Sequence, residues 1–291
     1  MLDHSCPHLE TKAGILYDVF DCGWKIDFQV CHVCICHRLT LAATSPCSPC
    51  ISIRPPSLGS SCSYRSDGFF ALRMSTSQIP PGKTWFDTHK VHFSDVPIAS
   101  PDQGILTVAF LDAAEATTTL FDLLGSVAFT PVKNDMIGNI NKVRERHQAS
   151  PHTSTTLQSL VKSELASKSH RATEGLLWLT RGLDFTSQAL RADLTSNAAI
   201  SAAHHKPNKE LADGFRTSYK NTLAPHHSFL VKPVFSAAMS ATPYRRDFYV
   251  RLCGEGTDPE VSKEALELWV AALEERVAIL NEFLASTEAK W

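Results

Sequence analysis

From Leu106 to the C-terminus, apolar residues return every three or four positions, and no run alternates long enough to make a sheet strand. A chain with that period buries itself as packed helices. Val108, Leu111, Leu120, Phe121 and Leu124 predict a helix of about five turns that ends near Gly125-Ser126. Thr130-Pro131 predicts an N-cap followed by proline in the first turn, opening a helix that runs through Arg146. Further helical segments are expected over 155–166, 172–190, 209–223, 227–240 and 262–286. The expected fold class is all-α, about eight helices in two layers.

The chain joins two compositions. Of its 9 cysteines, only Cys253 lies after residue 74, and the first 73 residues are rich in Cys, Ser and Pro with no sustained period. Such a segment cannot bury enough apolar surface to make a core of its own. Residues 1–84 are therefore expected to be a disordered N-terminal extension, and 85–291 the folded domain. The pairs Cys31-x2-Cys34 and Cys47-x2-Cys50 invite a zinc-ribbon reading, with Cys36 and His37 as spare ligands. The 12 residues between the pairs are short for that pattern and Pro49 stiffens the second pair, so no metal is assigned.

With 28 Lys and Arg against 30 Asp and Glu, and no basic run, the chain lacks the electrostatic footprint of a nucleic-acid binder. No stretch of 18 apolar residues exists, and Asp3, Glu10, Asp18 and Asp21 interrupt the start, so neither a spanning helix nor a secretory signal is expected. The expected location is the cytoplasm.

The chemistry concentrates in Asp135-Met136-Ile137-Gly138-Asn139-Ile140-Asn141-Lys142. On a helix, Asp135, Asn139 and Lys142 share one face, and each directly precedes a residue of the apolar stripe Met136, Ile140 and Val143. At about 100° of rotation per residue the trio borders the buried stripe, as groups at a mouth would. A sugar ring needs donors, acceptors and a flat apolar plate, and a carboxylate, an amide, a cation and the indole of Trp178 make up that set. Taken alone, the spacing is a weak signal and is far more often that of a solvated helix face.

Several segments together resemble the glycolipid transfer protein family, and its fungal branch most, which includes a heterokaryon-incompatibility-type protein. They are the 135–142 segment, Leu120-Phe121-Asp122-Leu123-Leu124-Gly125-Ser126, Phe129-Thr130-Pro131-Val132-Lys133, Leu176-Leu177-Trp178-Leu179-Thr180-Arg181-Gly182-Leu183-Asp184-Phe185 and His227-Ser228-Phe229. The resemblance implies a two-layer all-α fold enclosing an apolar pocket for ceramide chains, with the sugar at the surface. The implied function is binding of glycosphingolipids and their transfer between membranes, with no cofactor and no bond broken.

Residue by residue, the resemblance implies that Asp135 accepts from the ceramide amide and a sugar hydroxyl, and that Asn139 and Lys142 bond the first sugar. Trp178 would lie flat beneath that ring, and His227 would bind the amide carbonyl from the head of an apolar helix. Phe229 stands where animal members carry a membrane-facing tryptophan, so it is expected to dock the membrane. The implied partners are galactosyl-, glucosyl- or lactosylceramide and, transiently, a membrane surface, with the protein monomeric. Glu174, one turn before Trp178, would repel a phosphate, and Lys142 is the one cation evident in the motif.

Two alternatives within the same pocket are a lipid-sensing interaction module and transfer of a phosphosphingolipid such as ceramide phosphate. An enzyme using Asp135 and His227 is disfavoured, because the chain has no Gly-x-Ser-x-Gly elbow and His226-His227 lacks metal-ligand spacing to another His or Cys in the domain.

Overall fold

The computed structural model describes residues 79–291. The expectations for the cysteine pairs and for the extension up to residue 78 lie outside the described residues. Within them the chain is helical, apart from a two-residue antiparallel pair, β1 (Ile98–Ala99) with β2 (Gly104–Ile105). The helices are α1 (Thr107–Thr118), the one-turn α2 (Leu120–Leu123), α3 (Thr130–Ala149), α4 (Leu157–Ala166), α5 (Arg171–Ser196), α6 (Leu211–Asn221), α7 (Lys232–Ser240), α8 (Arg245–Arg251) and α9 (Pro259–Ala285). None of the described helices is long and apolar enough to cross a membrane.

The longest apolar period in the middle of the chain makes the central element. Leu176, Leu179, Leu183, Leu190 and Leu194 are all buried along α5, which packs against α3, α4, α6 and α9, while α1 covers α3. Helix α5 needs a secure start, and Glu164 of α4 supplies it. Its carboxylate is buried and accepts from the Ala172 N–H at 2.9 Å, the Thr173 N–H at 2.6 Å and the Thr173 hydroxyl at 2.7 Å. A carboxylate at a helix N-terminus satisfies otherwise orphaned donors and suits the helix dipole.

Where the structure departs from the sequence expectations, local stereochemistry gives the reason. The helix expected to run unbroken from Val108 breaks at Thr119, and Gly125 ends it with φ of 71°. Thr130 is not the N-cap of α3. A 3₁₀ turn over Val127–Phe129, capped by the Ser126 hydroxyl accepting from the Ala128 N–H at 3.2 Å, feeds directly into the helix, so Phe129 holds the cap position. The helix expected from His227 begins only at Lys232. Pro233 is the cause: without an N–H it is tolerated in a first turn but would break a helix that had started six residues earlier. Residues 79–84, placed in the extension by composition, are held to the loop after α8, with Gly82 N–H donating to the Glu255 carbonyl at 3.0 Å and Thr84 bridging Cys253.

Helix α8 has no counterpart among the sequence expectations. It is fixed by a buried ion pair: Arg245 Nε donates to Asp193 Oδ1 at 2.9 Å, and the Tyr249 hydroxyl donates to Asp193 Oδ2 at 2.8 Å, with both charged side chains fully buried. Arg245 also donates to the Ser201 carbonyl at 2.8 Å, tying the loop after α5 to the same group. Removing one partner of such a pair leaves a buried uncompensated charge. Asp193→Ala is expected to lower stability by about 3–5 kcal/mol, read from the denaturant midpoint; a loss within experimental error would refute the clamp.

Candidate functional site

On α3 the expected trio forms a relay. The Asn139 amide donates to Asp135 Oδ2 at 3.1 Å, and Lys142 Nζ donates to Asn139 Oδ1 at 3.0 Å. Asn139 is buried and its two neighbours half-buried, so the trio lies on the border between core and solvent that its helical phase predicts. Burial pushes the Asp135 carboxyl up to about 7, against the attraction of Lys142. The group therefore changes charge near neutral pH.

On α5 the indole of Trp178 is 8% exposed. It is joined to the α3 relay by close helix approach at Gly175, one turn earlier: a Cβ there would come within 3.1 Å of Lys142 Cβ and 3.3 Å of the Asn139 carbonyl. One turn later Gly182 faces Met136 in the same way, at 3.6 Å from its Cγ.

His227 lies in the turn between α6 and α7 and not on a helix, yet its ring is buried and nearly parallel to the Trp178 indole, 5.9 Å away at 16°. The ring is also 4.6 Å from Phe235, and its Nδ1 is 3.2 Å from the Tyr219 hydroxyl. Burial, with His226, Lys232 and Arg181 adding like charge, holds His227 down to about 4, so it is neutral at physiological pH. Burial raises Tyr219 to about 12, which keeps its hydroxyl a donor. A Tyr219 hydroxyl that donates to Nδ1 leaves the imidazole proton on Nε2, the tautomer that can donate to a carbonyl oxygen. The partner at His227 Nδ1 is Tyr219.

Phe229, two residues on, is 78% exposed, and Leu230 beside it 47%. Beneath the site the interior is aromatic. Tyr219 stacks on Phe235 at 5.0 Å, Phe235 meets Phe185 at 6.1 Å, and Phe185 meets Phe215 at 5.5 Å. Two cavities, of about 610 Å³ beside Pro80 and Arg251 and about 480 Å³ beside Gln103 and Phe283, are lined by none of the expected site residues. Among the described residues, no three of His, Cys, Asp and Glu gather closely enough to hold a metal ion.

The family model of the glycolipid transfer protein matches residues 105–254, a span that contains every group of this site. A glycolipid transfer protein of Aureobasidium melanogenum is 55% identical over 213 residues, covering 73% of this chain and 98% of that protein. The chain belongs to the glycolipid transfer protein family. Among solved structures, HET-C2, a fungal glycolipid transfer protein, superposes with a TM-score of 0.65 at 52% identity, over 72% of this chain and 100% of that one. A structure describing how FAPP2 selects simple glycosphingolipids using the same fold gives 0.61 at 32% identity, over 72% of this chain and 98% of that one.

Three site features were not evident from spacing. Tyr219 read as a core residue of α6, and only the fold brings its hydroxyl to His227, eight positions on. Phe235 read as part of the apolar stripe of α7, and it packs against the same ring, tilted by 50°. Lys142 is not the one cation near the indole, because Arg181, three positions after Trp178 and thus on its side of the helix, lies over the ring.

The Asp135 shift has a sign that can be checked. Its folded pKa of about 7 lies above the ordinary 3.8, so between those values the native protein binds more protons than the unfolded chain. The stability it contributes is full below the lower value and is lost as pH rises through the upper one. Asp135→Asn is expected to melt higher than wild type at pH 8, with the gap closing toward pH 4; identical melting at pH 8 would show that the carboxylate is not desolvated.

Proposed function

We propose that this protein binds glycosphingolipids and carries them between membranes through the cytoplasm as a monomer, without catalysing a reaction. Family membership supports the lipid class. What supports the assignment of the site is the close approach of α3, which carries the Asp135–Asn139–Lys142 relay, to α5 at Gly175, one turn before the indole that the His227 ring flanks, since hydrogen-bonding groups beside a flat apolar plate are what a sugar on a ceramide requires.

In this reading Asp135 accepts from the ceramide amide N–H and from a sugar hydroxyl, which favours its ionised form. Asn139 and Lys142 bond the sugar, Trp178 stacks beneath it, and His227 donates to the amide carbonyl. The hydrocarbon chains lie in the apolar interior below, parting the aromatic column that starts at Phe235. Phe229 and Leu230 enter the membrane surface during docking, where exposed apolar side chains beside the mouth shorten the lipid's path through water. The groups of the site have roles in binding and none requires a covalent step.

Selection against phosphate rests on fewer charges than sequence alone implies, because Asp135 is half-protonated near pH 7 and Arg181 lies beside Trp178. What remains is a site whose polar groups are matched to hydroxyls and an amide. Vesicle-to-vesicle transfer measured with glucosylceramide and ceramide phosphate at equal mole fraction is expected to favour glucosylceramide; preferred transfer of ceramide phosphate would overturn the headgroup reading. In the same assay Trp178→Ala, still folded, is expected to lose about 1–3 kcal/mol of glucosylceramide binding, the order for a buried aromatic anchor. Binding without any transfer would favour a sensing module.

Docking separates from binding at Phe229. Phe229→Asp is expected to slow transfer severalfold while equilibrium binding of a glycosylceramide presented in detergent stays unchanged. Equal loss of both would place Phe229 in the lipid site.

A further inference from the structure

Trp178 is an unusually crowded plate for a residue meant to receive a sugar. Only 8% of the residue is exposed. His227 lies nearly parallel to the indole, His226 meets it edge-on at 87° with centroids 6.4 Å apart, and the Arg181 guanidinium carbon stands 4.8 Å from the ring centroid. A sugar ring that stacks on so buried an indole needs part of these surroundings to give way.

His227 and Arg181 differ in how firmly they are held. His227 is buried, tied to Tyr219 through Nδ1 at 3.2 Å and packed on Phe235 at 4.6 Å, so moving it disturbs the core. Arg181 is half-buried, on a long flexible stem, and among the described residues no hydrogen bond or ion pair holds its guanidinium. Its attachment is the cation–π contact, made three positions along the same helix. Burial lowers the Arg181 pKa, consistent with a cation pressed against an apolar ring.

We propose that Arg181 is a specificity-determining residue of the headgroup site: its guanidinium holds the indole surface that a sugar needs, and it is the group that a sugar displaces. The inference rests on the glycosphingolipid reading above and deepens it. Arg181 acts as an internal competitor. It lowers affinity for any sugar that stacks on Trp178, and it leaves affinity for the sugarless ceramide untouched, because ceramide makes no claim on the indole. A carrier must release what it binds, and a competitor that returns to the plate as the sugar leaves favours delivery.

The competition predicts a gain of binding from a truncation, which a supporting role does not. Removing a partly exposed cation–π contact should tighten glucosylceramide binding roughly two- to fivefold. Equilibrium binding of glucosylceramide and of plain ceramide would be measured for wild type, Arg181→Ala and Arg181→Lys, with melting curves showing that each variant is folded. Expected are tighter glucosylceramide binding by Arg181→Ala, near-wild-type binding by Arg181→Lys, and unchanged ceramide binding throughout. Equal or weaker glucosylceramide binding by folded Arg181→Ala overturns the competition and leaves the glycosphingolipid reading standing. Wild type that binds glucosylceramide no better than ceramide overturns that reading and this inference with it.

Discussion

The close approach of α3 and α5 at Gly175 is the contact on which the site depends. A Cβ at that position would stand 3.1 Å from the Lys142 stem and 3.3 Å from the Asn139 carbonyl, so the lysine stem and the facing backbone would have to give by a few tenths of an ångström. The glycine thus lets the helix that carries the relay and the helix that carries the indole pack closely. Glu164, by capping the start of α5 four residues before Gly175 with its bonds to Ala172 and Thr173, sets the position of that helix along its own axis. The second approach, at Gly182 against Met136, keeps the two helices together past Trp178.

Burial then decides what the polar groups can do. Asp135 gains protons near neutral pH because it is desolvated, and His227 loses them for the same reason. The two therefore become a group that changes charge near neutral pH and one that stays neutral there. A ceramide amide presents both a donor and an acceptor, so this division of labour suits it. An acid–base catalyst would need its base poised near the working pH and in reach of its partner. Here the ring nitrogen Nδ1 of the neutral histidine faces a tyrosine hydroxyl.

The crowding around Trp178 bears on how a carrier balances capture and release. A fully open aromatic plate would maximise stacking and retain the sugar at the acceptor membrane. A plate shared with Arg181 offers less net gain, and Phe229 and Leu230, just after His227 in the chain, are exposed. The buried Arg245–Asp193 pair serves a different end: it holds α8 and the loop after α5, away from the residues that would meet lipid.

Much of this was legible in the sequence because helical periodicity is local. The spacing of Asp135, Asn139 and Lys142 against Met136, Ile140 and Val143 determined that the trio would border the core, and the relay follows from side chains one turn apart. The resemblance of the 135–142 and 176–185 segments to a known family pointed to the fold. What local spacing cannot express is contact between residues on different elements. Pro233 stood in the sequence, yet the length of α7 hid that His227 belongs to a turn; Tyr219, Phe235 and Glu164 read as ordinary members of their helices. Their roles arise only when helices pack, because a hydroxyl, a ring or a carboxylate acquires its partner and its pKa from the groups that burial brings to it. The sequence by itself determined which helix faces were apolar and that the polar trio would border one of them; the tertiary structure decided that α3 meets α5 at Gly175 and that the His227 ring lies between Tyr219, Phe235 and Trp178, since these contacts depend on how separate elements pack.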